Sequence, residues 1–430
     1  MNVSARNARS DESAARRLVL ALTALNVLSY VDRQLLVTLA PLLMADLGLT
    51  RAEIGLLVGA SFITAYAVLI LVLGAAADRF SRPRLIAAGL LVWSLATALT
   101  AGARNLGHLA ALRVAVGLGE AALPATALAM LADRFPAARR GLANSVFYAG
   151  IPIGYAISFG LAGWLGPRLG WRACFLALGA LGTMAVGGAL ALPDPPRRVA
   201  RPAPARLRDL AAAFRAALAG SRRLRLLIVA GALLAYMSSS SQHAITWLVQ
   251  ERGLPYPRAA LLAGVMVALG GLVGNVLIGA GADRWAHAAL PLGRPGGLAA
   301  IGALALLSSA AFYLLPTSSS AFLPCWFVSQ AFMLGWFGPV TAEIVDLAPP
   351  ELAATITGFA LSVVNVLGVA TGPWITGLIG DHAGLTRGLL VSLAVGGVGI
   401  VTLALAGAQA AEATAPPSSW PPAASAPPGS

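Results

Sequence analysis

The sequence predicts an all-α membrane protein of twelve transmembrane helices, arranged as two six-helix bundles related by pseudo-two-fold symmetry. Three observations carry that prediction. Hydrophobic residues make up 58% of the chain and charged residues 11%, with a mean hydropathy of +0.79, whereas soluble globular chains run about 25% charged. Apolar runs of about 20 residues, the length that crosses a bilayer, recur twelve times. A short loop signature also appears once in each half of the chain.

The first set of spans falls near 18–43, 54–77, 85–103, 107–131, 141–166 and 171–192. Arg16 and Arg17 precede the apolar run Leu18 to Val31, as in a signal peptide. No small-residue cleavage site follows and the apolar stretch resumes after Gln34, so this span is expected to be retained. Residues 193–223 form a linker rich in Arg, Pro and Ala, opening with Pro193, Asp194, Pro195 and Pro196. An amphipathic helix is expected there around Leu207 to Leu218, lying on the membrane surface. The second set falls near 224–249, 259–282, 297–315, 320–345, 352–380 and 385–408. The tail 409–430 is mostly Ala, Pro and Ser, a composition that predicts disorder.

All 30 basic residues are Arg, and the net charge is +13. They sit mainly in short loops without interleaved aromatic stacking residues, which argues against nucleic acid as a partner. With Arg33 and Arg113 set aside, the side shared by the N-terminal segment 1–17, the linker and the tail holds 21 Arg against 7 on the other. By the positive-inside rule that richer side is cytoplasmic. Cys174 and Cys325 both lie in apolar spans, so neither a disulfide framework nor a cysteine metal site is expected.

The halves repeat each other. Gly74-Ala-Ala-Ala-Asp78-Arg79 follows the second span, and Gly279-Ala-Gly-Ala-Asp283-Arg284 follows the eighth, 205 residues later. Asp133-Arg-Phe-Pro136 after the fourth span matches Asp346-Leu-Ala-Pro349 after the tenth.

Four charged side chains interrupt the apolar spans: Asp32 and Arg33 in the first, Arg113 and Glu120 in the fourth. Such groups are costly in lipid unless paired or facing water, and mark function by default. Arg113 and Glu120 are seven residues apart, hence on one helical face. Both carboxylates fall near mid-membrane. Burial favours the neutral carboxyl and a neighbouring Arg favours the charged one, so changes in solvation can load or release a proton at Asp32 or Glu120. The alternative is an ion-pair network that merely fixes the first helix against the fourth.

At these residues the chain resembles the major facilitator superfamily, whose loop after helix 2 carries Gly-x-x-x-Asp-Arg followed by basic residues, here Arg82 and Arg84. Three stretches are similar to the spinster-like group: Asn26-Val-Leu-Ser-Tyr30-Val-Asp32-Arg33-Gln34, Arg113-Val-Ala-Val-Gly117-Leu-Gly119-Glu120-Ala121, and Gly338-Pro339 through Gly372-Pro373. Organic-anion symporters of the superfamily share the Asp-Arg and Arg-to-Glu spacing. The resemblance implies the major facilitator fold and a carrier with alternating access to one central cavity. It also implies substrates such as lipid-like amphiphiles or, on the rival reading, a carboxylate held by Arg33 or Arg113. The expected function is therefore proton-coupled secondary transport of a small organic or lipid-like amphiphile across the inner membrane; the alternative is symport of sugar-acid-type anions. Protons and membrane lipids are the other expected partners, and the chain is expected to act as a monomer.

The positions equivalent to Arg113 and Glu120, 213 residues later, are Trp326 and Met333. Coupling is thus assigned to the first half and substrate shaping to the second. The run Ser238-Ser239-Ser240-Ser241-Gln242-His243 is too polar for lipid exposure, so it predicts a cavity wall or a broken helix. Cavity candidates are Tyr30, Gln34, Tyr148, Gln242, His243, Trp247, Gln330 and Asn365, with helix-packing hydrogen bonds as the alternative for each polar one. Gly150-Ile-Pro152-Ile-Gly154 permits close helix packing.

Asp78 is expected to latch onto the start of the eleventh helix and Asp283 onto the start of the fifth, since a carboxylate is stabilised by exposed helix N-terminal amides. The predicted cytoplasmic gate comprises Gly74, Asp78, Arg79, Arg82, Asp133, Arg140, Gly279, Asp283 and Arg284. Ala353 stands where the family usually has Arg, and Ser81 replaces the usual Gly, so the latch at Asp78 is expected to be the weaker. A membrane enzyme would need a nucleophile with its base or a metal cluster. His108, His243, His287 and His382 are scattered over separate segments, so no catalytic residue, metal or cofactor is assigned.

Overall fold

A computed structural model describes residues 3–77, 79–197, 207–287, 292–348 and 353–414. Among these residues every regular element is a helix. The first crossing belongs to Val3–Leu47, so the segment expected to precede it continues the same helix. Thr50 then starts the second crossing with a capping box: its side chain accepts from Glu53 N, and the Glu53 carboxylate accepts from Thr50 N, which satisfies two orphan amides. That crossing breaks at Gly59 into Arg51–Val58 and Ala60–Ala77. Arg82–Thr100 is the third, and Leu106–Glu120 with Ala122–Arg134 the fourth.

Ala137–Tyr148 opens the fifth crossing, and Gly150–Leu190 runs from it into the sixth. The chain doubles back at Gly170, whose φ of 78° a side chain would strain. The linker helix Leu207–Gly220 docks on the eleventh crossing, where Phe214 stacks on Phe359 with ring centroids 5.4 Å apart.

The seventh crossing runs Arg222–Ser240, tightens to a 3₁₀ turn over Ser241–His243, and resumes as Ala244–Gln250. The polar run thus coincides with a change in helix type. Tyr256–His287 and Gly293–Leu314 are the eighth and ninth. The tenth is Phe322–Gly335 plus Phe337–Leu347. The eleventh, Ala353–Val364 and Gly372–Ala383, carries a π turn over Asn365–Val369. Leu385–Thr414 closes the chain, so helix extends past the end predicted at 408 into the segment expected to be disordered.

Ten segments among the described residues are long and apolar enough to cross a membrane. One of them, Arg139–Leu190, contains the Gly170 reversal and counts as two; the tenth crossing is divided into shorter helices. The set is consistent with twelve crossings.

Each half repeats one ion-pair corner at the face that carries the termini. Arg82 at the start of the third crossing meets Asp133 at the end of the fourth, 2.6 Å apart. Arg294 at the start of the ninth meets Asp346 at the end of the tenth, 3.0 Å apart, and also Glu343 at 3.2 Å. Arg223 adds a second partner to Glu343 at 2.5 Å. These contacts stay within their own half.

At the opposite face the halves interlock. Gly55 and Gly59, four residues apart on the second crossing, lie against the backbone of Pro373 and Ala370 on the eleventh; a Cβ would stand 2.2 Å and 2.4 Å from their carbonyl oxygens. Gly377 lies equally close to the Arg51 carbonyl. Small residues at this spacing let two backbones approach. The fifth and eighth crossings close beside them, with Gly163 against Ala260 and the Tyr256 hydroxyl donating to Ala162 O at 3.3 Å.

Candidate functional site

The four intramembrane charges come together, but not as two matched pairs. Arg33 Nε donates to Glu120 Oε2 at 2.5 Å, and Ser29 Oγ donates to the same oxygen at 3.0 Å. Asp32 Oδ2 accepts from Thr97 Oγ1 at 2.5 Å. Arg113 makes no ion pair with described residues; its guanidinium lies 5.0 Å from the Phe62 ring centre. The Arg33 guanidinium is 4.9 Å from the same ring, and Tyr30 and Tyr66 lie 4.8 and 4.5 Å from it. Phe62 therefore serves both cations, a favourable contact for desolvated guanidiniums.

Asp32, Arg113 and Glu120 are each at most 2% exposed. Asp32 Oδ1, Glu120 Oε1 and Arg113 Nε have no hydrogen-bond partner. Removing charge from water costs several kcal/mol per ion, recovered only when the remaining polar sites are satisfied. A cluster left partly unsatisfied can change protonation without first breaking a complete network.

Beside this cluster lies a cavity of about 320 Å³ between the two halves. The first half contributes Tyr30, Gln34, Tyr155 and Phe159; the second contributes Ser238, Gln242, Gln330, Trp326, Met333 and Trp336. Trp336 Nε1 donates to Ser238 Oγ at 2.9 Å, which fixes the indole in the wall. Trp326 is backed by Phe312, stacked at 4.9 Å with a 15° interplanar angle.

Four of the sequence candidates, Tyr30, Gln34, Gln242 and Gln330, line this cavity. The other four lie outside it. His243 is buried with Nε2 2.7 Å from Pro373 O, which ties the seventh crossing to the eleventh. Trp247 is fully buried and donates to Thr386 Oγ1 at 2.8 Å. Asn365 returns its amide to Leu361 O in its own helix at 2.9 Å, and Tyr148 is 46% exposed away from the pocket. In each case the polar end finds a partner or solvent elsewhere.

Of the predicted gate, Arg82 is buried against Asp133, and Arg140 Nε donates to Phe135 O at 3.0 Å. Arg79 and Arg284 are exposed; Gly74 and Gly279 lie within helices. Asp78, Glu351, Leu352 and the side chain of Asp283 lie outside the described residues, and the two predicted latches with them. In Gly150 to Gly154 the small residues serve packing: a Cβ on Gly154 would stand 2.6 Å from that of Tyr30.

One contact between the halves was not among the predictions. At the face opposite the termini the Asp381 carboxylate accepts from Arg51 N and Ala52 N, both at 2.9 Å. The Arg51 side chain crosses in return to Gly380 O and to Gln250 Oε1, the latter at 3.0 Å, with Glu251 3.8 Å away. Between described residues, every hydrogen bond that joins the two halves lies at this face. The cavity is thus sealed from that side.

Sequence reasoning also missed Thr97, Tyr155 and Phe159. Thr97 carried a signal, because Ser94, Thr97 and Thr100 recur every three residues in an apolar helix and all are buried.

A family model described as Major Facilitator Superfamily matches residues 22–373. An MFS-type efflux pump of Mycolicibacterium smegmatis is 29% identical over 379 residues, covering 84% of this chain and 83% of that one. A hexuronate transporter of Bacillus subtilis is 26% identical, covering 89% and 92%. Among solved structures, a bacterial homolog to the human lysosomal transporter Spinster, inward-facing and unoccupied, superposes with a TM-score of 0.77 at 21% identity, covering 92% of this chain and 97% of that one.

Proposed function

The chain belongs to the major facilitator superfamily and is a spinster-like secondary transporter, and we propose that it is a proton-coupled carrier of a small organic or lipid-like amphiphile working by alternating access. The observation that carries this reading is the buried cluster of Asp32, Arg33, Arg113 and Glu120 beside a cavity between the halves. One carboxyl oxygen of each acid is uncommitted there. With all four groups ionised the cluster is neutral, and one bound proton leaves it with net positive charge. Arg33 is 16% exposed, while its partner Glu120 is fully buried. A change in hydration at Arg33 therefore reaches Glu120 through their ion pair. The Arg distribution supports cytoplasmic termini, and with them a cavity that opens toward the cytoplasmic side of the inner membrane. The chain works as a monomer, since the cavity is complete within one copy.

The B. subtilis relative, a hexuronate transporter, favours a second reading as an organic-anion symporter.

Uptake into sealed vesicles separates the carrier from a channel or an enzyme. The assay uses radiolabelled glucuronate, a lysophosphatidylcholine and phenyl β-D-glucopyranoside as probes. Saturable uptake of at least one probe, driven by a pH gradient, is expected. Glu120→Gln and Asp32→Asn keep shape and remove titration, and each is expected to abolish the pH dependence. Survival of that dependence in both variants would show that coupling does not run through this pair.

A further inference from the structure

We propose that the central cavity takes an uncharged solute carrying a flat ring and several hydroxyl or amide groups, in preference to an organic anion. This rests on the carrier reading above and specifies its cargo.

Among the described residues, none of the side chains lining the cavity is charged. Its polar groups are Gln34, Gln242, Gln330 and seventh-crossing serines, side chains that both donate and accept hydrogen bonds. Neither nearby cation is among the described residues of the wall. Arg33 is bonded to Glu120 and flanked by Tyr30, Phe62 and Tyr66, and Arg113 lies behind Phe62. An anion would give up its hydration with no countercharge in return, a heavy penalty in a water-poor site. A neutral polyol or amide exchanges water hydrogen bonds for equivalent ones.

The pseudo-symmetry points the same way. Trp326 and Met333 stand 213 residues after Arg113 and Glu120, and both line the cavity. Where the first half holds a titratable pair behind the wall, the second sets an indole and a thioether into it. Such polarizable groups grip the face of a ring. Both tryptophans of the wall are held in place, Trp326 by Phe312 and Trp336 by Ser238. They therefore form fixed faces for a flat ligand. The volume, about 320 Å³, lies at the small end of ligand sites. It suits a ring with polar substituents.

Phenyl β-D-glucopyranoside and phenyl β-D-glucuronide test this directly, because they share the phenyl ring and the ring hydroxyls and differ only in a hydroxymethyl against a carboxylate. Titration calorimetry with the purified full-length protein is expected to show the glucoside binding at least about tenfold tighter. Gln330→Leu and Gln242→Leu are each expected to weaken glucoside binding about three- to tenfold. Having two variants keeps the test decisive should one fail to fold. Equal binding, tighter binding of the glucuronide, or binding of neither overturns the proposal. The measurement needs no gradient, so its failure leaves proton coupling standing. Loss of pH-driven uptake with the glucoside preference intact would instead reject coupling and keep the cargo class.

Discussion

The carboxylate of Asp381 accepts the backbone N–H of Arg51 at 2.9 Å, joining residues 330 positions apart and belonging to different halves of the carrier. It also accepts from Ala52, so an acid at the end of the eleventh crossing caps the exposed N-terminus of the second. A carboxylate so placed gains from both charge-assisted bonds and the helix dipole. Alternating access requires this contact to break when the opposite face opens. Asp381→Asn is expected to shift the equilibrium toward that state about two- to fivefold, as loss of about 0.3 to 1 kcal/mol implies. A cysteine placed at cavity residue Val37, with Cys174 and Cys325 replaced by Ala, reports the shift. Its labelling by an impermeant maleimide from the far side should quicken; unchanged labelling rejects the latch.

Gly377 tests the same face through packing. A Cβ there would stand 2.3 Å from the Arg51 carbonyl oxygen, so the two crossings must separate. Overpacking costs about 1 to 3 kcal/mol, concentrated in the state sealed at this face. Gly377→Ala is therefore expected to slow transport by about tenfold while the protein remains folded by circular dichroism. Wild-type transport would show that the seam yields freely.

Glu251 provides a pH dependence outside the membrane spans. Partial burial pushes its carboxyl upward, but the Thr386 hydroxyl, the amides of Thr386 and Leu385 and the Arg51 guanidinium together hold it below its ordinary value. A carboxyl lowered in the folded state contributes stability above its unfolded pKa of about 4.3, and loses it as pH falls through the folded value. Thermal unfolding at pH 7 is expected to show Glu251→Gln less stable by about 1 kcal/mol, the worth of a helix cap. The gap should narrow as pH falls below that unfolded value. A gap that stays constant throughout the acid range would mean that packing, not charge, explains it.

The repeated ion-pair corners differ in burial, and their variants should differ accordingly. Arg82 is 3% exposed and its partner Asp133 17%, whereas Asp346 is 63% exposed. Arg82→Gln removes a buried cation from its ion pair and is expected to cost about 3 kcal/mol. Asp346→Asn should change stability by less than about 1 kcal/mol. Thermal melts of the two purified variants compare them; equal losses would contradict the burial argument.

The legible part of the site was the part written in local pattern. Asp32, Arg33, Arg113 and Glu120 were conspicuous because charge is costly in an apolar span, and the serine run before His243 because hydroxyls cluster there. The seam between the halves was half visible: Gly55 and Gly59 have the four-residue spacing of a packing face, but nothing in the sequence names Pro373 and Ala370 as its partners. His243, Trp247 and Asn365 illustrate the opposite case. A polar side chain in a span must be satisfied, yet whether by cavity, neighbour or its own helix depends on rotation about the helix axis.

By itself the sequence determined the solvent, the helical crossings, the internal repeat and the residues able to titrate. Each follows from composition or from periodicity along one segment. Only the tertiary structure decided that Arg33 rather than Arg113 pairs with Glu120, that Phe62 lies against both cations, and that Asp381 seals one face by capping the helix at Arg51. Those facts depend on distances between segments dozens to hundreds of residues apart. Hydropathy carries no record of such distances, because the energy that fixes them arises only when the helices meet.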